Sequence, residues 1–211
     1  MQPLELFQIG VLIFSVVLHE VAHGYMANSF GDPTARLQGR LTLNPLKHID
    51  PFGSVILPLL LVLTHSPILL GYAKPVPYNP FNLQGRNAEA WVAFAGPGTN
   101  ILLALIFAAV IRVFSGALDE TLLVAFALIV FINMLLALFN LIPIPPLDGS
   151  KILSTLLPGN LGRVYESFRV RFEQLGMVTG LAVIFALFYF FSPIFMGVLG
   201  NLFSTLTGLR L

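Results

Sequence analysis

Residues 19 to 23 read His19-Glu20-Val21-Ala22-His23. On an α-helix, side chains four apart share a face, so both imidazoles can reach one Zn²⁺ while the glutamate between them stands beside the metal's open position. That is equipment for metal-assisted hydrolysis. The same five residues arise by chance in long chains, so their setting decides the reading. Here they close an apolar run, Leu4 to Leu18, whose one acid is Glu5 at its start. Three ionisable groups at the end of an apolar helix are costly without a function.

A second stretch, Asn140-Leu141-Ile142-Pro143-Ile144-Pro145-Pro146-Leu147-Asp148-Gly149, supplies what the first lacks. Its prolines forbid a continuing helix, so the chain is extended there, and Asp148 either caps a new helix over Gly149 to Leu156 or serves as a ligand. Catalytic zinc commonly takes three protein ligands and keeps one position for water. The chain has no cysteine, which excludes disulfides and thiolate ligation and leaves His, Asp and Glu to hold any metal. His48 and Asp50 form another pair with ligand chemistry, but between Pro45 and Pro51 they read as turn and cap residues.

The elements that must position these groups belong to a membrane protein. Of 211 residues, 56% are apolar and 10% charged, which is no soluble surface, and a net charge of +1 carries no nucleic-acid signal. Helix one is expected from Leu4 to Phe30, stopped by Gly31-Asp32-Pro33. It is too long for a signal-peptide core and lacks a basic leader, so it is read as mature structure. At 1.5 Å per residue, His19 lies about 22 Å along it, below one membrane face. Ala35 to Leu43 alternates leucines and Gly39 with polar residues, the period of a half-buried strand, and is expected to form a short hairpin or edge strand at the membrane surface. Two roles stay open for it, pairing with an extended substrate and covering the site.

Phe52 to Leu70 contains Pro58 and Pro67, and Gly71 to Asn82 adds Pro75, Pro77 and Pro80, the pattern of a broken, re-entrant segment. Trp91 to Phe114 is a span opening with Ala95-Gly96-Pro97-Gly98-Thr99-Asn100, where glycines permit close helix approach and Asn100 can hydrogen-bond across helices. Leu122 to Leu141 is the returning span and carries Asn133 and Asn140. Leu161 to Leu175 reads as an interfacial amphipathic helix. Ser192-Pro193 divides Gly176 to Leu209 into two short spans unless one long tilted helix runs through.

The expected fold is therefore an all-α polytopic membrane protein with about five transmembrane helices, a re-entrant segment and a short membrane-associated β-hairpin. It is read as a single domain, 1–211, with a core at 4–151 and a C-terminal part at 160–209. If His19, His23 and Asp148 share a metal, helix one and the Leu122 to Leu141 span must end on one side, so Phe52 to Leu70 re-enters instead of crossing. Arg36, Arg40, Lys47, Lys74, Arg86, Lys151, Arg163, Arg169 and Arg171 then fall on the metal side and Arg112 opposite, which places the metal side in the cytoplasm.

With both stretches read, the chain resembles the site-2 protease family of intramembrane zinc metalloproteases, in its compact prokaryotic form. The resemblance rests on the 19–23 motif, the 95–100 span opening and the 140–149 segment in that order, with Gly71-Tyr72-Ala73-Lys74-Pro75-Val76-Pro77 resembling a compact bacterial and archaeal branch. It implies that His19, His23 and Asp148 ligate one Zn²⁺ and that Glu20 is the general base. It also implies that Asn140 contacts a membrane-spanning protein substrate in a prokaryotic cell membrane; Asn100 is a second substrate-binding candidate beside its packing role. No appended substrate-selecting domain is seen. Two other classes compete, a membrane metal transporter using the same histidines and a proteolytically dead scaffold that binds membrane helices.

Overall fold

A computed structural model of the chain describes residues 2–51, 56 and 73–209. Helix α1 (Pro3–Ser29) starts with Pro3, whose missing N–H costs nothing in a first turn, and ends where Phe30 and Gly31 fold back on its last carbonyls. A short α2 (Thr34–Leu37) follows, then a 3₁₀ turn at Pro45–His48 and another at Pro80–Asn82. The remaining helices are α3 (Ala88–Phe114), α4 (Glu120–Asn140), α5 (Asp148–Leu156), α6 (Gly159–Gln174) and α7 (Met177–Thr207).

Among the described residues four helices are long and apolar enough to cross a membrane: α1, α3, α4 and, over Tyr189–Thr207, α7. The chain is thus a multi-pass membrane protein. At its centre stands α3, which packs against α1, α4, α5 and α7. Its buried positions include Ala88, Ala90, Ala93, Ala95, Gly96, Ala104 and Ala108, small residues that let backbones approach where lipid offers no hydrophobic drive between helices.

One connection fixes the topology. Arg112, at the end of α3, donates from Nε to the Leu206 carbonyl (3.0 Å) and from Nη2 to that of Thr205 (2.5 Å), satisfying carbonyls that the end of α7 leaves open. The end of α7 therefore lies with the end of α3, on the face opposite Asp148. On the near face, Arg169 of α6 pairs with Glu166 (2.6 Å), Glu173 (3.1 Å) and Glu89 of α3 (3.6 Å), while the Tyr165 hydroxyl donates to the Pro143 carbonyl at 2.7 Å. These contacts hold the amphipathic helix against the bundle, with Leu161, Val164 and Phe168 turned outward.

Two expectations need correction. The hairpin at Ala35 to Leu43 does not form, and there is no strand among the described residues. The leucine alternation fails to track burial: Leu37 is 77% exposed and Leu43 54%, whereas Arg40 is 8% exposed. The backbone instead bonds to itself, Gly39 N–H to the Arg36 carbonyl and Arg40 N–H to that of Ala35, with Gly39 at φ +62° turning the chain out of α2. The expected count of about five spans is not reached among the described residues, which hold four, with α7 running through Pro193 as one helix; bilayer helices tolerate an internal proline. The expected re-entrant stretch, Phe52 to Leu70, falls almost wholly outside the described residues.

Candidate metal centre

Two helices and one proline-rich turn bring the candidate ligands together. His19 and His23 stand one turn apart on α1, and Asp148 opens α5 after the 143–146 prolines have ended α4. Asp148 is not the cap of its helix: Leu147 holds that position, and the carboxylate points to the histidines. His19 Nε2 and His23 Nε2 are 3.1 Å apart, and Asp148 Oδ2 lies 3.2 Å from each. Both imidazoles are buried, at 6% and 7% exposure.

Hydrogen bonds behind the rings say what those three atoms are. His19 Nδ1 lies 2.6 Å from Asn100 Oδ1 and His23 Nδ1 lies 2.7 Å from the Val92 carbonyl, both acceptors, so each Nδ1 carries the proton. The neutral rings then aim bare Nε2 lone pairs at each other and at a carboxylate oxygen. Three acceptors about 3 Å apart repel unless a cation lies among them. A tetrahedral Zn²⁺ with ligands at 2.0–2.1 Å sets ligand atoms about 3.3 Å apart, close to the three edges observed. The residues present fit the metal.

The pocket's electrostatics point the same way. Burial opposes ionisation of Asp148, yet positive charge beside it, on His23 when that ring is protonated and on Lys151, holds its carboxyl well below the usual carboxylate range. A proton on one imidazole answers that demand for one pair; a divalent cation answers it for all three atoms. Lys151 is itself lowered by burial but raised more by Tyr78 and Asp148, so it stays charged, with its ammonium 5.3 Å from the centre of the Tyr78 ring.

Gly96 makes room for the site. A Cβ there would stand 2.6 Å from His19 Nε2 and would also collide with His23 Nε2, so only glycine lets α3 pass this close to both rings. Behind His19 a buried polar chain continues inward: Asn100 Nδ2 donates to Asn133 Oδ1 at 2.9 Å, and Asn133 Nδ2 donates to Ser15 Oγ at 3.0 Å. Every link lies among α1, α3 and α4. The sequence reading had singled out Asn133 only as a polar residue in a span and Ser15 not at all; a fully buried amide at mid-span was the one signal available.

The other candidates separate. Glu20 is half-buried, and its Oε2 accepts the Val76 N–H at 2.8 Å. Asn100 is fully buried against His19 with both ends of its amide engaged inside the bundle, a position from which it orients a ring. Asn140, in the last turn of α4, donates to the Leu136 carbonyl at 2.9 Å and stays outside the ligand group. His48 is also elsewhere: it ends a 3₁₀ turn, with Nε2 2.9 Å from the Thr42 carbonyl.

Comparison with known proteins gives the chain its family. The family model described as peptidase family M50 matches residues 7–122 and 115–187. YwhC of Bacillus subtilis (strain 168) is 42% identical over 170 residues, covering 74% of this chain and 72% of that protein. Rip2 of Mycolicibacterium smegmatis is 30% identical over 153 residues, 70% of this chain, which spans only 58% of that protein's length. A Methanocaldococcus jannaschii protein, MJ0611, is 43% identical over 63 residues, 29% of this chain and 31% of its own. All three are named as candidate zinc metalloproteases. No solved structure matches the chain. Matched along most of its length, the chain belongs to peptidase family M50, the site-2 protease family that its motifs resemble.

Proposed function

We propose that the chain is an intramembrane zinc metalloendopeptidase that hydrolyses peptide bonds of membrane-spanning proteins. The observation that carries this reading is the convergence of three acceptor atoms, His19 Nε2, His23 Nε2 and Asp148 Oδ2, within 3.2 Å of one another. These residues would hold one Zn²⁺, which supplies a Lewis acid for the scissile carbonyl and lowers the pKa of water at its open position.

The chain's own groups do the rest. Asn100 and the Val92 carbonyl hold the imidazoles in the tautomer that presents Nε2. Glu20, one residue from His19, takes the proton of the attacking water on a carboxylate oxygen and returns it to the leaving amine nitrogen. A substrate helix hides its carbonyls in its own hydrogen bonds, so it must unwind locally before attack. Asn140, at the end of the span that leads to Asp148, is assigned to hold the unwound segment.

Residues 1–211 are read as one catalytic domain with its active face in the cytoplasm. Nine of eleven Lys and Arg residues flank the near ends of the helices, against Arg112 at the far end of α3; Arg210 lies outside the described residues. A transport reading needs polar groups through both halves of the bilayer. The buried polar chain instead stops at Ser15, and the far half is closed by an apolar cluster.

Metal analysis of the purified wild type beside His23→Ala and Asp148→Ala, with cleavage of a transmembrane substrate in the same preparation, tests the reading. The wild type is expected to hold one zinc per chain and both variants to lose zinc and cleavage together. Glu20→Gln is expected to keep zinc while cleavage falls about 10²- to 10⁴-fold. Full proteolysis by Glu20→Gln would end the enzyme reading.

A further inference from the structure

Residues 74 to 77 read Lys74-Pro75-Val76-Pro77. The prolines have no N–H to give, so positions 75 to 77 own a single backbone donor, that of Val76. It is directed at Glu20 Oε2, 2.8 Å away. The other edge of this strap is held by the segment after α2: Arg40 Nη2 donates to the carbonyls of Lys74 (2.9 Å) and Pro75 (3.3 Å), and Lys74 N–H donates to the His48 carbonyl (2.8 Å). Arg40, Val76 and His48 are buried, at 8%, 5% and 2% exposure. Gly24, one turn beyond Glu20 on the same face of α1, admits the strap; a Cβ there would stand 2.7 Å from Val76 Cγ1 and 2.5 Å from Leu41 Cδ2.

Resting on the hydrolase reading above, we propose that Arg40 is a positioning residue for the reaction. It fixes the Lys74–Val76 strap so that the Val76 amide engages one oxygen of Glu20 and leaves the other to receive the water's proton. A glutamate on a helix face is otherwise free about three side-chain torsions, and a general base that wanders spends little time in reach of its proton. An amide fixed between two prolines is a rigid donor, and a guanidinium bridging two successive carbonyls fixes the strap without a proton to lose. The strap contributes no ligand atom, so its loss falls on turnover and spares the metal.

The test uses the full chain with zinc, in detergent, and a transmembrane substrate. Val76→Pro deletes the donor and is expected to lower kcat about ten- to a hundredfold, the worth of one hydrogen bond to a charged group, with KM and zinc content unchanged. Arg40→Ala is expected to lower kcat in the same way and Arg40→Lys to restore most of it. Adding Arg40→Ala to Val76→Pro should cost nothing more, because both act through one bond. Four results would each overturn the proposal: wild-type kcat in Val76→Pro, losses that multiply in the double variant, a loss confined to KM, or zinc lost from Arg40→Ala. If Val76→Pro does not fold, Arg40→Lys decides, since a loss equal to that of Arg40→Ala overturns the proposal as well. Glu20→Gln separates the two readings: active, it ends the hydrolase; inactive beside fully active Arg40→Ala and Val76→Pro, it leaves the hydrolase standing and removes only the strap's role.

Discussion

The near and far halves of the helical bundle are built on opposite rules, although two long helices, α3 and α4, run through both. In the far half Ala104, Ala108 and Ile111 of α3 meet Val130 and Met134 of α4 and Leu199 and Phe203 of α7 in a buried apolar cluster. In the near half α1 replaces α7 as the partner of α3, and the buried polar groups include Ser15, His19, His23, Asn100, Asn133 and, partly, Asp148. Lipid tails are as apolar as leucine, so the far cluster gains from close packing and hardly from leaving water. The near half must find partners for the polar atoms around its two histidines, which forces unique partners and one ring orientation each. The far half can vary in shape and still hold, whereas the near half fails if one atom moves.

The comparison breaks most sharply at Gly96. Gly96→Ala adds one methyl to a helix, which raises helix propensity and would be harmless in the far cluster. Against His19 and His23 it has no space, so zinc binding and cleavage should both be lost, an effect above about 4 kcal/mol in metal affinity given the 10–16 kcal/mol scale of structural zinc sites. Metal content and thermal unfolding on one sample check it, with unfolding expected to shift far less than zinc. The converse substitution is Phe203→Ala, which removes a ring at 2% exposure. In a water-soluble core it would cost about 3–5 kcal/mol; in a bilayer, where lipid replaces part of the lost contact, about 1–3 kcal/mol is expected, with zinc still bound. Unfolding in mixed micelles with zinc titration reads both quantities, and zinc loss in Phe203→Ala would show that the halves are coupled.

The same contrast explains what the sequence could disclose. Spans were legible because length and apolar content act locally: α1, α3 and α4 start and stop within about three residues of the expected positions, inside the usual boundary uncertainty. The convergence of His19, His23 and Asp148 was legible because helical spacing couples the two histidines and because two histidines would leave a catalytic zinc one ligand short, which makes an acid behind a proline break informative. Ser15, Arg40 and Val76 left no such trace. Their partners lie 118, 34 and 56 residues away, and a backbone N–H has no signature in residue type. The strand was misread because alternation reports burial only when one face is covered, and here Leu37 faces outward while Arg40 is enclosed. Pro193 was read as a break because proline ends helices in water, where the freed carbonyl has no need to stay inside.

Asn100→Ala sharpens the comparison within the near half. It leaves every ligand in place but frees the His19 ring and strands Asn133, so zinc affinity should fall about 10- to 100-fold, the usual effect of removing a ligand's hydrogen-bond partner. Competition with a chelator measures it. Unchanged affinity would mean that packing alone orients His19.

The smallest effect is expected at the rim of the near half, where Asp32 ties the end of α1 to the segment after the strap. It is 0% exposed and accepts from Asn79 N–H (2.7 Å), Asn82 Nδ2 (2.8 Å) and the Thr34 hydroxyl (2.5 Å) and N–H (3.3 Å). Burial pushes its pKa up, but these four donors outweigh it and hold the carboxyl below the ordinary range. A depressed folded-state pKa gives stability that is complete above the unfolded value, near 3.9, and is lost as pH falls through the folded one. Asp32→Asn should therefore melt below the wild type at pH 7, and the gap should shrink on acidification below about pH 4 as the wild-type carboxylate protonates. Melting curves of the two proteins across that interval measure it. A gap independent of pH would mean that Asp32 contributes geometry alone, and the rim would then follow the far half, where shape suffices, instead of the near half, where charge and proton position count.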